Sequence, residues 1–326
     1  MMNRRQLLAV GAASAAGFTA LAAMPARAQG RTLRIVVGYP AGGPTDALAR
    51  IVARILGDSL GVAAIVENQP GGLASIAAKT VMRAEPDGMT LMLCTSQSQA
   101  TNAVLFKGVG YDPLKDFTMV SGLADVQQTL VVRKDLPVKN VQELIAYAKA
   151  NPGKLNYAST GSGAGAHLAM ELLKLKAGID LVHIPFKGGA QMTQEIVAGR
   201  IDATFATVPS VLGQIKAGTM NALAIASDKP SPQLPAVPLL KTQGVAGCEA
   251  DSWLGLVGPA NMPRATVAQY EKIIDQAFAK PDVREAVLSA GMVINLRDSA
   301  AFRSYIASEI AKWGEVTRAA NIKLDT

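Results

Sequence analysis

A recurring arrangement of short apolar runs and glycine-rich turns most constrains the fold of this chain. Each apolar run ends in a turn, and each turn opens a stretch in which apolar residues recur at helical spacing. The turns comprise residues 40–46, 70–72, 160–165 and 187–190. A helix N-terminus carries unpaired backbone N–H groups and a partial positive charge, and glycine lets a ligand approach that backbone closely. Several such termini facing one cleft would bind a small anion without a catalytic side chain, so the pattern indicates a binding protein rather than an enzyme.

The alternation of strand-like and helix-like segments predicts the fold class. Strands are predicted at residues 32–39, 63–67, 90–95, 128–132, 155–159, 181–186, 201–206, 220–226 and 252–257. Helices are predicted at residues 48–56, 76–84, 141–150, 165–175, 191–198, 266–279 and 299–320. This order is typical of parallel sheets covered on both faces, and the proline-rich segment 230–238 excludes regular structure between the later strands. We therefore predict an α/β protein with two doubly wound lobes.

The first 28 residues have the features of an export signal. Arg4 and Arg5 form a twin-arginine start, an apolar stretch rich in alanine and glycine follows, and Ala26-Arg27-Ala28 matches a signal-peptidase site. We predict cleavage after about Ala28 and a mature chain in the periplasm; an uncleaved membrane anchor is the alternative. The loss of Arg4, Arg5 and Arg27 lowers the formal charge from +7 to +4. No run of Lys or Arg remains, which argues against a nucleic-acid partner.

The reactive side chains exclude several classes of enzyme. The histidines are His167 and His183, and neither a nucleophile–histidine–acid triad nor a Gly-x-Ser-x-Gly elbow is visible. No group of His, Cys and acidic residues has metal-binding spacing, so neither a metal nor a cofactor is expected. The turn at 160–165 resembles a dinucleotide fingerprint, but the next strand does not end in the required acidic residue. Cys94 and Cys248 are expected as buried free thiols, with a disulfide as the alternative.

Four polar side chains near the turns have both a structural and a functional interpretation. Asp46 either complements the dipole of the helix that it opens or contacts a ligand. His167 is expected to make structural hydrogen bonds or to touch the ligand rather than to act as a general base. Lys187 either meets a carboxylate or is solvated. Asp202 either pairs with Arg200, caps the chain locally or faces the ligand.

Several short segments, in one order and spacing, together carry a family resemblance. They are Tyr39-Pro40-Ala41-Gly42-Gly43-Pro44-Thr45-Asp46, Val66-Glu67-Asn68-Gln69-Pro70-Gly71, Pro86-Asp87-Gly88, Asn156-Tyr157-Ala158-Ser159, Pro185-Phe186-Lys187-Gly188-Gly189 and Ala198-Gly199-Arg200-Ile201-Asp202. Over essentially the whole mature chain, the sequence resembles the periplasmic solute receptors of tripartite tricarboxylate transporters, also called Bug receptors. It departs from their pattern at Leu73 and Ala74, which replace glycines and either reshape the pocket or affect only lobe packing.

The resemblance implies two α/β lobes that close on a ligand and are joined by crossing strands near residues 124–130 and 249–254. Lobe I would comprise residues 29–127 and 252–326, and lobe II residues 128–251. Ligands of the family are mostly small carboxylates, held by the first turn of lobe I and the Ser/Gly turn of lobe II. The ligand-binding residues implied are Tyr39, Gly42, Gly43, Pro44, Thr45, Asp46, Ser96, Ser159, Thr160, Gly161, Ser162, Gly163, His167, Lys187, Gly188, Gly189 and Asp202.

The function that this resemblance implies is the capture of a di- or tricarboxylate or an aromatic acid, and its delivery to the membrane subunits of a tripartite transporter. The receptor is expected to act as a monomer and not as an enzyme. Leu73 and the scarcity of arginines favour a partly apolar or aromatic carboxylate over citrate. The alternatives are an exported α/β enzyme acting on a small acid and a ligand-sensing subunit of a signalling system.

Overall fold

The computed structural model describes residues 31–322 and Leu324, so the predicted export signal lies outside the described residues. The strands in this range are β1 (Leu33–Val37), β2 (Ala64–Asn68), β3 (Thr90–Thr95), β4 (Phe117–Val126), β5 (Gln128–Arg133), β6 (Asn156–Ser159), β7 (Val182–Pro185), β8 (Ala203–Thr207), β9 (Met220–Ile225), β10 (Ser252–Pro259) and β11 (Val293–Arg297). The helices are α1 (Pro44–Leu60), α2 (Ser75–Met82), α3 (Asn102–Leu105), α4 (Val141–Ala150), α5 (Gly165–Ala177), α6 (Gly189–Val197), α7 (Val208–Lys216), α8 (Arg264–Phe278), α9 (Pro281–Ser289) and α10 (Ser299–Ala319).

The strands form two sheets, one in each lobe. The six-stranded sheet of lobe I has the spatial order β11-β4-β10-β3-β1-β2, and the five-stranded sheet of lobe II has the order β7-β6-β8-β5-β9. The pairs of β1 with β2 and β3, and of β6 with β7 and β8, are parallel as predicted. The pairs that involve β4, β5 and β10 are antiparallel, so each sheet is mixed and the prediction of parallel sheets is wrong in that respect. The reason is topological, because a strand that leaves one lobe for the other runs against its neighbours.

The two sheets are joined by two adjacent crossing segments. Gln127 alone separates β4 from β5, and the irregular segment 226–251 leads from β9 back to β10. Val126 is paired with Ser252 in the antiparallel ladder. The Gln128 side chain donates to the Ala250 carbonyl at 2.8 Å, so side-chain and main-chain bonds hold the crossings together.

Helix α10 contacts both lobes. Its buried residues include Phe302, Ile306 and Trp313, and it packs on β4 of lobe I and on α5 of lobe II. Two of the clusters of buried apolar residues lie on the two faces of the lobe I sheet, and the larger of them continues into lobe II. None of the helices in the described range is long and apolar enough to cross a membrane.

The structure also contains elements that the sequence analysis missed. Strand β4 is buried except at Thr118, and its apolar run is interrupted by Ser121, Gly122 and Asp125. Helix α7 and helix α9, for which the sequence analysis predicts no helix, both have proline in the first turn, where proline is tolerated. Strand β11 pairs only at the edge of the lobe I sheet, so the chain ends with α8, α9, β11 and α10 rather than with two helices.

Cys94 and Cys248 are both buried and both free thiols, in agreement with the prediction. Cys94 lies on β3 within the lobe I sheet, whereas Cys248 lies in the segment that returns from lobe II. Burial raises the pKa of both thiols, that of Cys248 to about 12. Both side chains are therefore neutral apolar groups of the core.

Candidate functional site

A cavity of about 330 Å³ lies between the two lobes, at the carboxyl ends of β1, β3 and β8. In open α/β folds this edge of the sheet is where ligands bind. The cavity is lined by Tyr39, Pro44, Thr45, Thr95, Ser96, Gln97, Thr101, Val126, Gln128, Gly165, Leu168, Thr207, Pro209, Ala250, Asp251, Ser252, Trp253, Leu254 and Trp313. Both lobes and both crossing segments thus contribute to its wall.

Three helices of the described range begin at this cavity. Residues of the first turns of α1, α5 and α7 line it, namely Pro44, Gly165 and Pro209. In each helix no described side chain caps the N-terminal N–H groups. Pro44 and Pro209 have no N–H group, and the Val208 N–H donates to the Gln127 carbonyl at 2.8 Å. The positive ends of the helix dipoles and the other first-turn N–H groups lie at the cavity on both lobes, which is a favourable arrangement for an anion.

Hydroxyl groups supply further neutral hydrogen-bonding groups on the lobe I side. The Tyr39 hydroxyl lies 3.1 Å from Thr95 Oγ1, and Ser98 Oγ accepts a hydrogen bond from the Thr95 N–H at 3.1 Å. Burial raises the pKa of Tyr39, so its phenol stays protonated at neutral pH. Thr95 is thereby held in one orientation at the cavity wall.

Gly165 is required by the close approach of α5 to the first crossing segment. A Cβ atom at this position would lie 3.2 Å from Gln128 Nε2, and that amide is fixed by its bond to Ala250. A larger residue at Gly165 would push the helix N-terminus away from the crossing segments and change the cavity.

Two indoles form part of the apolar wall. Trp253 Nε1 and Trp313 Nε1 both donate to Glu309 Oε2, at 3.1 and 3.0 Å. The Trp253 ring packs edge-on against Phe302 with 5.4 Å between the ring centroids. Glu309 thus fixes both rings and satisfies both indole N–H groups, which leaves their carbon faces to line the cavity.

The charge of the cavity wall differs from the sequence-based expectation of a lysine near the ligand. Among the described residues that line the cavity, Asp251 is the one charged side chain, and Lys, Arg and His are absent. An anion in this cavity would therefore be held by backbone N–H groups, hydroxyls and the Gln128 and Gln97 amides rather than by an ion pair.

The structure brings part of the predicted site together on the lobe I side. Tyr39, Pro44, Thr45 and Ser96 line the cavity. A Cβ atom on Gly42 or Gly43 would meet nothing within 4 Å, so the first glycine turn is open to approach although it does not line the cavity.

Asp46 makes local contacts instead of facing the cavity. Its carboxylate accepts hydrogen bonds from the Gly42 N–H at 3.1 Å, from Arg50 Nε at 2.9 Å and from Asn68 Nδ2 at 3.0 Å. Arg50 is the largest cause of the low pKa of Asp46, which is about 2. The structural interpretation of Asp46, as the group that holds the first turn, therefore accounts for its contacts.

The polar groups of the Ser/Gly turn are also engaged with one another. Ser159 Oγ lies 2.6 Å from His183 Nε2, and His167 Nδ1 accepts a hydrogen bond from the Gly163 N–H at 3.0 Å. The two imidazoles stack with 3.9 Å between centroids. Burial, and then the neighbouring His183, lower the pKa of His167 to about 4, so this ring is neutral at pH 7. Neither Ser159 nor His167 lines the cavity.

The glycines of the same turn have different surroundings. A Cβ atom on Gly161 would meet nothing within 4 Å, whereas one on Gly163 would lie 2.9 Å from Leu324 and 3.1 Å from Leu105. Gly163 thus marks a close contact between the lobes. Thr160 and Ser162 lie in the same turn but do not line the cavity.

The remaining predicted residues are not brought to the cavity. Lys187 and Gly189 are exposed, and Gly188 precedes α6 outside the cavity wall. Asp202 lies at the amino end of β8, the end opposite to Thr207. Its carboxylate accepts from the Asn156 N–H and from Arg133 Nε, both at 2.8 Å.

These contacts decide between the alternatives left open for Asp202 and for Leu73 and Ala74. Arg200 pairs with Glu195 and not with Asp202, because the turn directs its side chain back along α6. Leu73 and Ala74 do not line the cavity: Leu73 is exposed, and Ala74 packs against Gly38, where an added Cβ atom would lie 2.3 Å from Ala74 Cβ. Both residues have positive φ angles, 52° and 70°, a backbone conformation that favours glycine. Because neither residue lines the cavity, their departure from glycine concerns lobe packing rather than the pocket.

Much of the cavity wall was missed by reasoning from sequence. The missed residues include Thr95, Gln97, Thr101, Gln128, Gly165, Thr207, Pro209, Asp251, Ser252 and Trp313. Thr207-Val208-Pro209 carried a usable signal, since a threonine followed by proline in the first turn is typical of a helix start. The crossing segments and α10 carried no such signal, because their residues become neighbours only when the lobes assemble.

Comparison with known proteins agrees with this architecture. The model of the tripartite tricarboxylate transporter family receptor matches residues 48–322. BugT of Bordetella pertussis is 33% identical over 327 residues, which cover 99% of this chain and 100% of BugT. The structure of R. palustris Rpa4515 with adipate superposes with a TM-score of 0.74 at 31% identity and covers 91% of this chain and 99% of that one.

A second solved structure, that of the periplasmic binding protein BugD, superposes with a TM-score of 0.70 at 30% identity and covers 91% of this chain and 99% of that one. These similarities extend over both lobes, and they confirm the resemblance and the two-lobed fold class inferred from the sequence motifs. This chain belongs to the family of tripartite tricarboxylate transporter receptors.

Proposed function

We propose that this protein is a periplasmic receptor that captures a small carboxylate between its lobes and delivers it to the membrane subunits of a tripartite transporter. The observation that carries the proposal is the convergence of three uncapped helix N-termini, in the described range, on one cavity between the lobes. The bound adipate of the R. palustris relative supports the same class of ligand.

Binding would follow from neutral donors that are already in place. Each hydrogen bond from a neutral N–H or O–H group to a carboxylate contributes about 1.5–3 kcal/mol, because the acceptor is charged. The donors come from α1 on one side and from α5 and α7 on the other, so only the closed arrangement satisfies the ligand fully. A bound acid would therefore favour closure, which is the state that a membrane partner would recognise.

We infer a ligand-binding set that is narrower than the one implied by family resemblance. It keeps Tyr39, Pro44, Thr45 and Ser96, and it adds the residues near the helix starts and crossings, namely Thr95, Gln97, Gln128, Gly165, Thr207 and Ser252.

We retain lobe I as residues 29–127 and 252–326 and lobe II as residues 128–251. Strands β1–β4, β10 and β11 belong to one sheet and strands β5–β9 to the other, which supports this division.

The shape and polarity of the cavity favour an acid with an apolar body. Leu168, Leu254 and Trp253 form apolar wall, and the cavity volume of about 330 Å³ suits a small molecule. Citrate would bring three negative charges into a cavity without a cationic side chain among its described lining residues. We therefore expect adipate or an aromatic acid to bind more tightly than citrate.

A thermal-shift screen of the purified protein tests this function. The panel contains adipate, malate, citrate, glutamate and benzoate, each with its neutral amide as a control. An acid at 100 times its Kd adds about 2.7 kcal/mol to the free energy of unfolding, which raises Tm by several degrees. A shift by acids that their amides do not reproduce supports the receptor. No shift by any acid, in protein refolded to remove a carried ligand, contradicts it.

A variant pair localises the site. Gly165→Ala adds a methyl group against Gln128 at the cavity wall, so we expect about tenfold weaker binding of the acid that gives the largest shift. Gly213→Ala is the matched control, because a Cβ atom there meets nothing within 4 Å. Equal affinities of the two variants would contradict the site.

Two further experiments test the alternative functions. Recovery of the acid unchanged after incubation with the protein would distinguish the receptor from an exported enzyme. Capture of membrane partners would distinguish transport from sensing.

A further inference from the structure

A second cavity, of about 190 Å³, lies beside the crossing segments. Its lining side chains are mostly charged, and they are Asp125, Asp228, Glu249, Asp251, Arg297, Tyr305, Glu309 and Lys312. Asp125 is next to the end of β4, and Asp251 immediately precedes β10. Because Val126 is paired with Ser252, these two aspartates lie on adjacent crossing segments, one on each.

The two aspartates have the same pattern of satisfied and unsatisfied oxygens. Asp125 Oδ2 accepts from Asn295 Nδ2 at 2.5 Å, and Asp251 Oδ2 accepts from Ser227 Oγ at 2.5 Å. Asp125 Oδ1 and Asp251 Oδ1 are both buried, and neither has a hydrogen-bond partner among the described residues. A buried carboxylate oxygen without a donor costs the full desolvation of the group, so two such oxygens on adjacent segments require an explanation.

The cationic side chains around the cavity do not donate a hydrogen bond to either of these oxygens. Arg297 Nη1 lies 3.8 Å from Asp125 Oδ1, beyond hydrogen-bond distance, and its guanidinium stacks on Tyr305 at 3.9 Å. Lys312 pairs with Glu309 and donates to the Glu249 carbonyl at 2.9 Å. Lys229 donates to Asn295 Oδ1 at 2.8 Å, and Asp228 is exposed at the rim.

A metal ion is not supported either. Within the described residues, no group of three or more His, Cys, Asp and Glu side chains has an arrangement that could hold a metal. Burial, and then the charge of Asp125, raise the pKa of Asp251 well above its usual range, and burial raises the pKa of Asp125. Both effects favour a proton on the pair, because two buried carboxylates facing one cavity cannot easily both be ionised.

We propose that Asp125 and Asp251 share one proton between their Oδ1 atoms, and that this proton ties the two crossing segments of the hinge together. One O–H···O⁻ hydrogen bond then satisfies both orphan oxygens at once. Loss of the proton at high pH places two negative charges on adjacent segments, so it weakens the hinge between the lobes. This inference concerns the hinge and does not depend on which acid the cleft binds.

The sign of the pH effect follows from the proton count. In the unfolded chain each aspartate is ionised above about pH 4, whereas the folded pair keeps one proton to a higher pH. The folded state therefore binds more protons in this window, and stability falls as pH rises. The other titratable groups near the pair, Asp228, Glu249, Glu309, Arg297, Lys312 and Tyr305, are present in wild type and variants alike, so differences isolate the pair.

The variants Asp251→Asn and Asp125→Asn test the shared proton in the ligand-free protein. In each variant the amide oxygen can take the existing bond, from Ser227 or Asn295, and the NH₂ group can replace the proton as donor to the remaining carboxylate. As the pH rises from about 5 to about 8, we expect the Tm of Asp251→Asn minus the Tm of wild type to increase by about 2–4 °C per pH unit. Asp275→Asn, on the exposed face of α8 and outside this cavity, is the matched control and should follow the wild-type curve.

Infrared spectroscopy gives a second measurement that does not require unfolding. At pH 7 the wild-type protein should have a protonated-carboxyl C=O band that is lost in Asp125→Asn and Asp251→Asn and kept in Asp275→Asn. Parallel Tm curves for Asp251→Asn and wild type, or a band that survives both substitutions, would overturn the proposal. A third outcome would also overturn it. If K⁺ or Ca²⁺ at constant ionic strength raised the Tm of wild type but not that of Asp251→Asn, a cation would occupy the cavity.

Discussion

At the scale of single residues, the Ser/Gly turn of lobe II depends on a small network of polar side chains. Ser159 contacts His183, His167 accepts from the Gly163 N–H, and the two rings stack. Each of these groups is of a type that could bind a carboxylate. In the folded chain they bind one another and hold the turn in the shape that places the start of α5 at the cavity.

The neutral state of His167 predicts a stability loss in acid. Its pKa is about 4 in the folded state against 6.5 in a free histidine, so the unfolded chain binds more protons between these values. The free energy of unfolding should therefore fall as the pH is lowered from about 6.5 to about 4, by up to about 1.4 kcal/mol per pH unit for one proton.

Urea unfolding of wild type and His167→Gln across this range measures the effect. The variant should have a shallower dependence, and the difference between the two curves removes the contribution of the carboxylates. If the two slopes are equal, the buried imidazole does not have the depressed pKa that its surroundings indicate.

At the scale of elements, strand β10 and helix α10 form the contact on which the cavity wall is built. A Cβ atom on Gly255 of β10 would lie 2.2 Å from the Phe302 ring and 2.9 Å from the Ser121 carbonyl oxygen. Phe302 is fully buried and packs against Trp253, which lines the cavity. The glycine therefore sets the distance between the strand and the helix.

Gly255→Ala should destabilise the protein by about 1–3 kcal/mol, because the added methyl group must displace Phe302 or the neighbouring strand. Gly213→Ala, in the exposed part of α7, should instead stabilise it by about 0.5–1 kcal/mol, since the unfolded chain loses freedom and no atom is in the way. Urea unfolding of both variants checks the pair. If Gly255→Ala left the free energy of unfolding unchanged, β10 and α10 would not be packed this closely.

At the scale of the whole molecule, no disulfide joins the lobes within the described range, and the crossings are held by hydrogen bonds. Cys94 and Cys248 are separate buried thiols, one in the lobe I sheet and the other in the return segment. Relative motion of the lobes then depends on the two crossing segments, which is the hinge arrangement expected of a protein that closes on a ligand.

Thiol titration tests this arrangement. In native protein purified without reductant, less than about one tenth of the thiols should react with an added thiol reagent, because both thiols are buried and their pKa values are raised. Both thiols should react after unfolding, and a reductant should leave Tm unchanged. The absence of reactive thiols in the unfolded chain would instead indicate a disulfide.

The sequence alone determined the local elements and the class of the fold. The predicted strands and helices at 90–95 and 141–150 agree with β3 and α4 to the residue, because apolar periodicity and the Asn140 cap are local signals. The glycine turn before α1 was likewise recognisable, and Tyr39, Pro44 and Thr45 of that region line the cavity.

The tertiary structure alone decided which of the candidate groups face the ligand cavity. Asp46, Ser159 and His167 have suitable chemistry, yet each also contacts a residue from another strand or turn. Asp46 accepts from Asn68, Ser159 contacts His183, and His167 stacks on His183. Gln128, Asp251 and Trp313 have no local signal, and they meet only because two crossing segments and α10 pack together. Periodicity and turn chemistry are encoded within a few residues, whereas the direction of a side chain in a cleft between lobes depends on contacts across the whole chain.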